Sequence, residues 1–320
     1  MRQKNMKDRL RLIAEHSLTY APHHVAEKLG YFDAADLDIV LDYASGPGGS
    51  WLADVLARDE ADIARGGVWI PMMYRGHLED LRIFAQLCDR NVQILLSRQE
   101  SPDFDFTDLI GKKVLLPAAA TSQWMFLAGL LGERGVDAAR IQWLRDLDIS
   151  TMARLWRSGF ADYFLASAPL ADQLLSEGHH IAADLGIVGD RVPWSVYYAR
   201  PSVLEAKKEP LVRFLNALSL ASHWISHNGA NEVARLIGCD FSEWTQLQIE
   251  RSVARMQRRH VWLPDVRVPE ATLLRYQKMI AAYGLISEPM AYEQIVDRRF
   301  AEAVASGEPV LRNTNQYQPS

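Results

Sequence analysis

Short apolar runs alternate with amphipathic stretches along the first 200 or so residues, and beyond that the pattern is helical only. Gly111 to Pro117 predicts a buried strand, a brief apolar run entered through a glycine and stopped by a proline. The small-residue loop Ala118 to Gln123 comes next. The apolar run Trp124 to Leu131 then fits a core-facing helix, with Thr121 or Ser122 as its N-cap. A strand that passes through a small polar loop into a helix presents free backbone N–H groups and the positive end of the helix dipole. An anionic or polar solute is stabilised at such a place.

The same order of elements occurs earlier. A strand from Leu10 to Glu15 leads to a helix ending at Gly30, a strand from Asp38, a helix, and Glu60-Ala61-Asp62-Ile63-Ala64. In the later copy Val114 to Pro117 leads to a helix ending near Gly135. Ile141 to Leu144, a helix, and Phe160-Ala161-Asp162-Tyr163-Phe164 complete it. Both copies set Ala-Asp directly before a short apolar strand, so the pattern predicts two similar α/β lobes. In the first, Ala44 to Ser50 and Ile63 to Pro71 are further small-residue turns at strand ends, where open α/β sheets hold ligands.

Leu81 to Leu87 and Val92 to Ser97 read as strands separated by Cys88-Asp89-Arg90-Asn91, the second crossing out of the first lobe, with Gln99 to Phe106 as a linker to the second lobe. Ile181 to Leu185 is another strand and Val192 to Ala199 the return crossing. Amphipathic helices follow at Leu211–Ile225, Asn231–Ile237, Glu243–Met256, Glu270–Tyr283 and Tyr292–Ala305. The expected division is residues 1–98 with 193–320 as lobe I, carrying the C-terminal helices, and 99–192 as lobe II.

The 320 residues suffice for two domains, and 48% apolar with 23% charged residues is ordinary for a globular chain. A net charge of −5 argues against a nucleic-acid footprint. The basic cluster Arg251, Arg255, Arg258 and Arg259 has helical spacing and reads as a solvated helix face. Cys88 and Cys239 are expected to be unpaired thiols. Met1 to Arg9 is polar and basic with no apolar run after it, and nothing approaches a membrane span. As written, the chain is expected to be cytoplasmic, with no membrane insertion; a trimmed or misplaced start would make it periplasmic.

Pro22-His23-His24-Val25-Ala26-Glu27-Lys28-Leu29-Gly30-Tyr31-Phe32, followed by Ala35-Asp36-Leu37-Asp38-Ile39, resembles the opening of solute-binding proteins of the nitrate, sulfonate, taurine and thiamine-pyrimidine-precursor group. Glu60 to Ala64, Asp108 to Val114, Trp194 to Tyr197 and Leu211 to Leu218 match later landmarks of that group in order. The resemblance implies an α/β, two-lobed type II periplasmic-binding-protein-like fold with a cleft between the lobes and a helical C-terminal region. It implies a small-molecule ligand (a sulfonate, an aromatic acid or a pyrimidine-like solute) and an ABC permease as partner. Carried over by position, the cleft would be lined by Ser45, Gly46, Gly66, Gly67, Thr121, Ser122, Gln123, Trp194 and Ser195, with Tyr20, His23 and Arg65 as further contacts. The same fold hosts enzymes. Arg65-Gly66-Gly67 resembles a loop of the aromatic sulfinate desulfinase, whereas Pro22-His23-His24 stands where that enzyme has its cysteine nucleophile. The cysteine-rich cluster of the thiamine-pyrimidine synthase is also missing.

Among single residues, His23 and His24 are candidates for acid–base work near neutral pH, the alternative being that one packs at the helix start and the other meets water. Arg65 is a permanently charged planar donor beside a glycine pair, which suits capture of a carboxylate, sulfonate or phosphate; a structural ion pair is the rival account. Trp51, Trp69, Trp124 and Trp194 fall in or beside the predicted cleft loops, where indoles stack on planar ligands or pack in the core. No metal-ligand spacing or Gly-x-Ser-x-Gly elbow occurs, and Gly46-Pro47-Gly48-Gly49 lacks the Lys-Ser/Thr of a phosphate loop. No metal or cofactor is expected. The enzymatic alternative would rest on His23, His24 and Arg65.

Overall fold

The computed structural model describes residues 7–43, 50–77, 80–117, 121–145 and 147–307. The first pass of the chain comprises β1 (Asp8–Ala14), α1 (Ala21–Lys28), α2 (Tyr31–Ala34), β2 (Leu37–Tyr43), α3 (Ser50–Ala57), β3 (Ile63–Gly66), α4 (Trp69–Met73) and β4 (Arg82–Arg90). The second comprises β5 (Ile94–Ser97), β6 (Lys113–Leu115), α5 (Thr121–Glu133), β7 (Gln142–Leu144), α6 (Ile149–Arg157), β8 (Tyr163–Ala166), α7 (Leu170–Ser176), β9 (His180–Asp184) and α8 (Leu185–Val188). The chain returns through β10 (Arg191–Ala199). It ends in helices α9 (Pro201–Ala206), α10 (Lys208–His227), α11 (Ala230–Ile237), α12 (Gln246–Arg258), α13 (Glu270–Tyr283), α14 (Tyr292–Ile295) and α15 (Arg299–Ala305).

The strands form two five-stranded mixed sheets of the same plan, β2-β1-β3-β10-β4 and β7-β6-β8-β5-β9. In each, three parallel strands are joined by crossover connections through helices and are then extended by an antiparallel pair. The repeated Ala-Asp has one structural task in both copies. The Asp62 carboxylate accepts the backbone N–H of Arg11 at 2.8 Å while its own N–H donates to the Arg11 carbonyl at 2.9 Å. Asp162 does the same with Lys113, at 2.9 and 3.0 Å. Each aspartate therefore fixes the start of its third strand against the first.

The boundary drawn at residue 98 falls too late, since β5, read as the strand that crosses out of the first lobe, hydrogen-bonds to β8 and β9 in the second sheet. The break expected at Cys88 to Asn91 comes later, since β4 runs through Arg90 and pairs with β10, so the chain changes sheet between Arg90 and Ile94. The C-terminal helices, expected with lobe I, also reach the second. α10 and α11 pack on α1, whereas α12 packs on α7 and α13 on α5. Arg255 and Arg259, read as part of a solvated face, are drawn inward by ion pairs with Asp172 and Asp184 of the second lobe. A buried Ser252 hydroxyl adds a 2.8 Å bond to Asp172.

The α5–α13 contact depends on Gly129, where an added Cβ would stand 2.6–2.7 Å from Met279 Cγ and Cβ. Overpacking of this kind costs about 1–3 kcal/mol. Gly129→Ala is expected to lower stability by roughly that amount despite its better helix propensity. Urea unfolding checks this; equal or greater stability would mean that the two helices pack less tightly than described.

Candidate functional site

The carboxyl ends of the parallel strands in both sheets face one another across a small cavity of about 60 Å³. From the first lobe come Glu15 and Tyr20 after β1, and Gly66, Gly67 and Trp69 at the end of β3 and the start of α4. The second lobe contributes Thr121, Ser122 and Gln123, the first turn of α5, and β10 contributes Trp194 and Ser195. Thr121 and Ser122 were expected as N-caps; both lie inside the helix, which begins at Thr121.

The two lobes touch here. Trp69 Nε1 donates to Ser122 Oγ at 2.9 Å, and the Tyr276 hydroxyl of α13 donates to the Ser122 carbonyl at 3.4 Å. Gly67 is what allows this approach, because a Cβ there would stand 2.6 Å from both Ser122 Oγ and Trp69 Nε1. Trp194 is held from behind, stacked on Tyr276 and set edge-on to Phe126.

Arg65 lies beneath the floor of the cavity. It is fully buried, its guanidinium over the Tyr20 ring, and Nη2 donates to the Glu15 carbonyl at 2.8 Å. Among the described residues its Nε and Nη1 have no well-aligned hydrogen-bond partner, with the Tyr20 and Tyr197 hydroxyls close to the guanidinium; the Tyr197 and Ser195 hydroxyls are likewise buried without a well-aligned bond. A buried guanidinium with open donors is costly, since an unmet charged hydrogen bond forfeits several kcal/mol in a low-dielectric site. Glu15 reaches solvent through the cavity, and enclosure by the walls raises its carboxyl above the usual range more than the Arg65 charge lowers it. Desolvation also raises the Tyr20 hydroxyl, again against the pull of Arg65.

A larger cavity of about 390 Å³ lies elsewhere, beside Phe84 and Tyr292. Its arginines are already satisfied, Arg267 by Asp265 and Arg298 by Glu293. Of these two cavities, the inter-lobe one lies against a buried arginine with donors to spare.

A family model described as NMT1/THI5 like matches residues 17–230. The chain belongs to the NMT1/THI5-like family. It is 27% identical over 295 residues to YtlA of Bacillus subtilis (strain 168), a protein named provisionally as a binding protein, covering 91% of this chain and 88% of YtlA. Among solved structures, the periplasmic aliphatic sulphonate binding protein SsuA from Escherichia coli superposes with a TM-score of 0.72 at 17% identity, over 90% of this chain and 96% of SsuA. The desulfurization enzyme DSZB gives 0.68 at 17% identity, over 94% of this chain and 99% of its own. The architecture is thus the periplasmic-binding-protein fold expected from the sequence.

Within this NMT1/THI5-like chain the cavity brings together Tyr20, Gly66, Gly67, Thr121, Ser122, Gln123, Trp194 and Ser195. Ser45 and Gly46 lie outside the described residues. Glu15 was missed, because a lone acid at a strand end carries no motif. Trp69 lines the cavity, whereas Trp124 packs edge-on to Trp143 beneath Arg145, and Trp51 packs against the core. Among the described residues no cluster of His, Cys, Asp and Glu could hold a metal.

His23 and His24 do not line the cavity. His23 is buried against Phe32 and Phe214, and desolvation holds its imidazole well below the ordinary value. His24, with Nδ1 3.1 Å from Asp240, is also buried and pushed down to about 4, desolvation outweighing the aspartate. Both rings therefore serve packing between α1 and the C-terminal helices, and a role at the reacting centre does not fit their place.

These values carry a sign. A histidine whose folded pKa lies below its unfolded value opposes folding once the unfolded ring takes up a proton, so stability falls as pH drops from about 6.5 to about 4. For His24 the loss is on the order of 3 kcal/mol. His24→Gln should flatten that part of the stability–pH curve, measured by denaturant titration; an unchanged slope would show that the ring is not held neutral.

The cross-cleft bond also has a measurable weight. A neutral hydrogen bond contributes about 1 kcal/mol, so Trp69→Phe should move the open–closed balance about fivefold toward open, and Gly67→Ala further. Small-angle X-ray scattering should show a larger radius of gyration for both variants. Identical radii would mean that this contact does not hold the lobes together.

Proposed function

We propose that this protein binds a small organic solute bearing an acid group, a sulfonate, a carboxylate or an acidic heteroaromatic, in the cleft between its lobes. In this reading it serves as the solute-binding component of an ABC-type uptake system. The observation that carries the proposal is Arg65, fully buried under the cleft with two donor nitrogens lacking a well-aligned partner and, among the described residues, no carboxylate in ion-pair contact. The first turn of α5 faces the same cavity, so its backbone dipole favours negative charge there. Trp69, Trp194 and Tyr20 add flat apolar faces suited to the rest of a small ligand. The likeness to the sulphonate-binding SsuA supports an acid of the sulfonate kind.

The cavity of about 60 Å³ is well below the usual size for an organic ligand, roughly 300–1,000 Å³. The ligand therefore enters with the lobes apart, and closure over it is the binding event.

DSZB, an enzyme, shares the fold, so catalysis is the competing reading. Neither cysteine meets the cavity. Cys88 is buried in β4 with its thiol pushed up to about 12, and Cys239 is exposed after α11. A thiolate is the nucleophilic form, so neither position favours covalent chemistry in the cleft.

A thermal-shift screen over sulfonates, aromatic acids and pyrimidines should yield a compound that raises the melting temperature by mass action. Arg65→Lys keeps the charge but loses the planar fork, and should weaken that compound's binding by tenfold or more in calorimetry. Mass spectrometry of the recovered compound should find it unchanged. Full affinity in Arg65→Lys would remove the arginine from the site, and conversion of the compound would replace binding with catalysis.

A further inference from the structure

The chain passes between the lobes from Arg90 to Ile94 and returns from Asp184 to Arg191, and the two crossings lie against each other. Arg90 Nη1 donates to the Gly186 carbonyl at 2.9 Å, and the Leu185 N–H donates to the Gln93 carbonyl at 3.1 Å. A Cβ at Gly186 would stand 2.4 Å from the Asn91 carbonyl oxygen, so the approach is backbone to backbone. A change in the angle between the lobes has to be taken up by turning at these few residues.

Arg259 reaches this junction from the C-terminal helices. It is buried, pairs with the largely buried Asp184 carboxylate where β9 ends, and donates through Nη1 to the Val92 carbonyl ahead of β5 at 3.3 Å. One guanidinium therefore holds both crossings. Its own anchorage is on the first lobe: α12, which stops at Arg259, packs on α11, and α11 packs on α1. The chain then turns at His260 with a left-handed φ of 51°. Beyond the turn, Trp262 Nε1 donates to the Thr19 carbonyl at 2.7 Å, and the Val266 carbonyl accepts the Gln86 N–H of β4 at 2.8 Å. Farther back on α12, Arg255 and Ser252 hold Asp172 of α7, so α12 touches both lobes and Arg259 is its contact at the crossings.

We propose that Arg259 is the positioning residue of the hinge, fixing both crossings relative to the C-terminal helices and so setting the angle between the lobes. A pair this close to the crossings survives a rotation there, whereas loss of either partner strands a charge and frees the backbone on both sides. The angle is then governed from a residue that lines neither cavity described above, and the inference does not depend on what the cleft binds.

Pulsed dipolar spectroscopy on the full chain tests this, with spin labels on Asp42→Cys and Ile149→Cys and with Cys239→Ser removing the native exposed thiol. The labels sit on exposed positions at the carboxyl ends of the outer parallel strands β2 and β7, one on each lobe. Arg259→Met should broaden the distance distribution and raise the long-distance population about fivefold or more. Arg259→Lys, which keeps the charge without the planar fork, should fall between. Asp184→Asn keeps an acceptor for the Gly186 N–H and loses only the charge; it should reproduce the change, and with Arg259→Lys it carries the test if Arg259→Met fails to fold. Lys207→Met removes a partner of Asp62 within the first lobe and should lower the melting temperature with the distances unchanged. Folded Arg259 and Asp184 variants whose distances match the labelled parent, or shift no more than in Lys207→Met, overturn the proposal and leave Arg259 a packing residue.

Discussion

Everything in this molecule turns on an exchange of strands. Each sheet begins with three parallel strands from its own stretch of chain and is extended by a strand at a crossing, β10 beside β3 in the first and β5 beside β8 in the second. An antiparallel neighbour has to enter from the opposite end, so the crossings bring the carboxyl ends of both parallel sets to a common gap. Glu15, Gly66, Thr121 and Ser195 come from four distant parts of the sequence and meet because of that pairing. The duplicated aspartates secure it from the far side, each locking its lobe's third strand to the first by one bond into its carboxylate and one between backbone groups.

Within that frame the site is governed by desolvation. Arg65 cannot shed its charge, and its guanidinium lies against rings and hydroxyls with Glu15 near but in no ion pair with it, so its orphan donors represent free energy recoverable by a ligand. His23 and His24 met the same environment with a different outcome. An imidazole can neutralise, and both do so, which makes them packing elements whose cost appears only in acid.

The repeat of elements was legible because its signals are local: Asp62 and Asp162 sit in matching Ala-Asp steps, and glycine or proline punctuates the strands around them. The cleft loops were legible for the same reason, as small residues at strand ends. That Val92–Ser97 crosses out of the first lobe was legible, but its place between β8 and β9 was not, since strand pairing is set by partners some seventy to ninety residues away. Periodicity carries nothing about such partners. Arg255 and Arg259 misread as solvated for an allied reason, their helix having a second neighbour whose aspartates belong to the other lobe. Glu15 escaped notice because an acid at a strand end has meaning only beside Arg65, fifty residues on.

The strengths of the links between the lobes differ in a way that decides where the molecule opens. At the mouth stands the bond from Trp69 to Ser122, neutral and worth about 1 kcal/mol. Behind it α12 and α13 are fastened to the second lobe by ion pairs to Asp172, Asp184 and Glu133, two of them largely buried. Stripping one partner from a buried pair costs about 3–5 kcal/mol, so these fastenings outlast the front contact. The helices are tied to the first lobe as well, α12 packing on α11 and α13 on β10, where Tyr276 stacks on Trp194. The neutral bond at the mouth is therefore the weakest of these links, and occupancy of the cleft bears on it directly, since Trp69 and Ser122 both line the cavity.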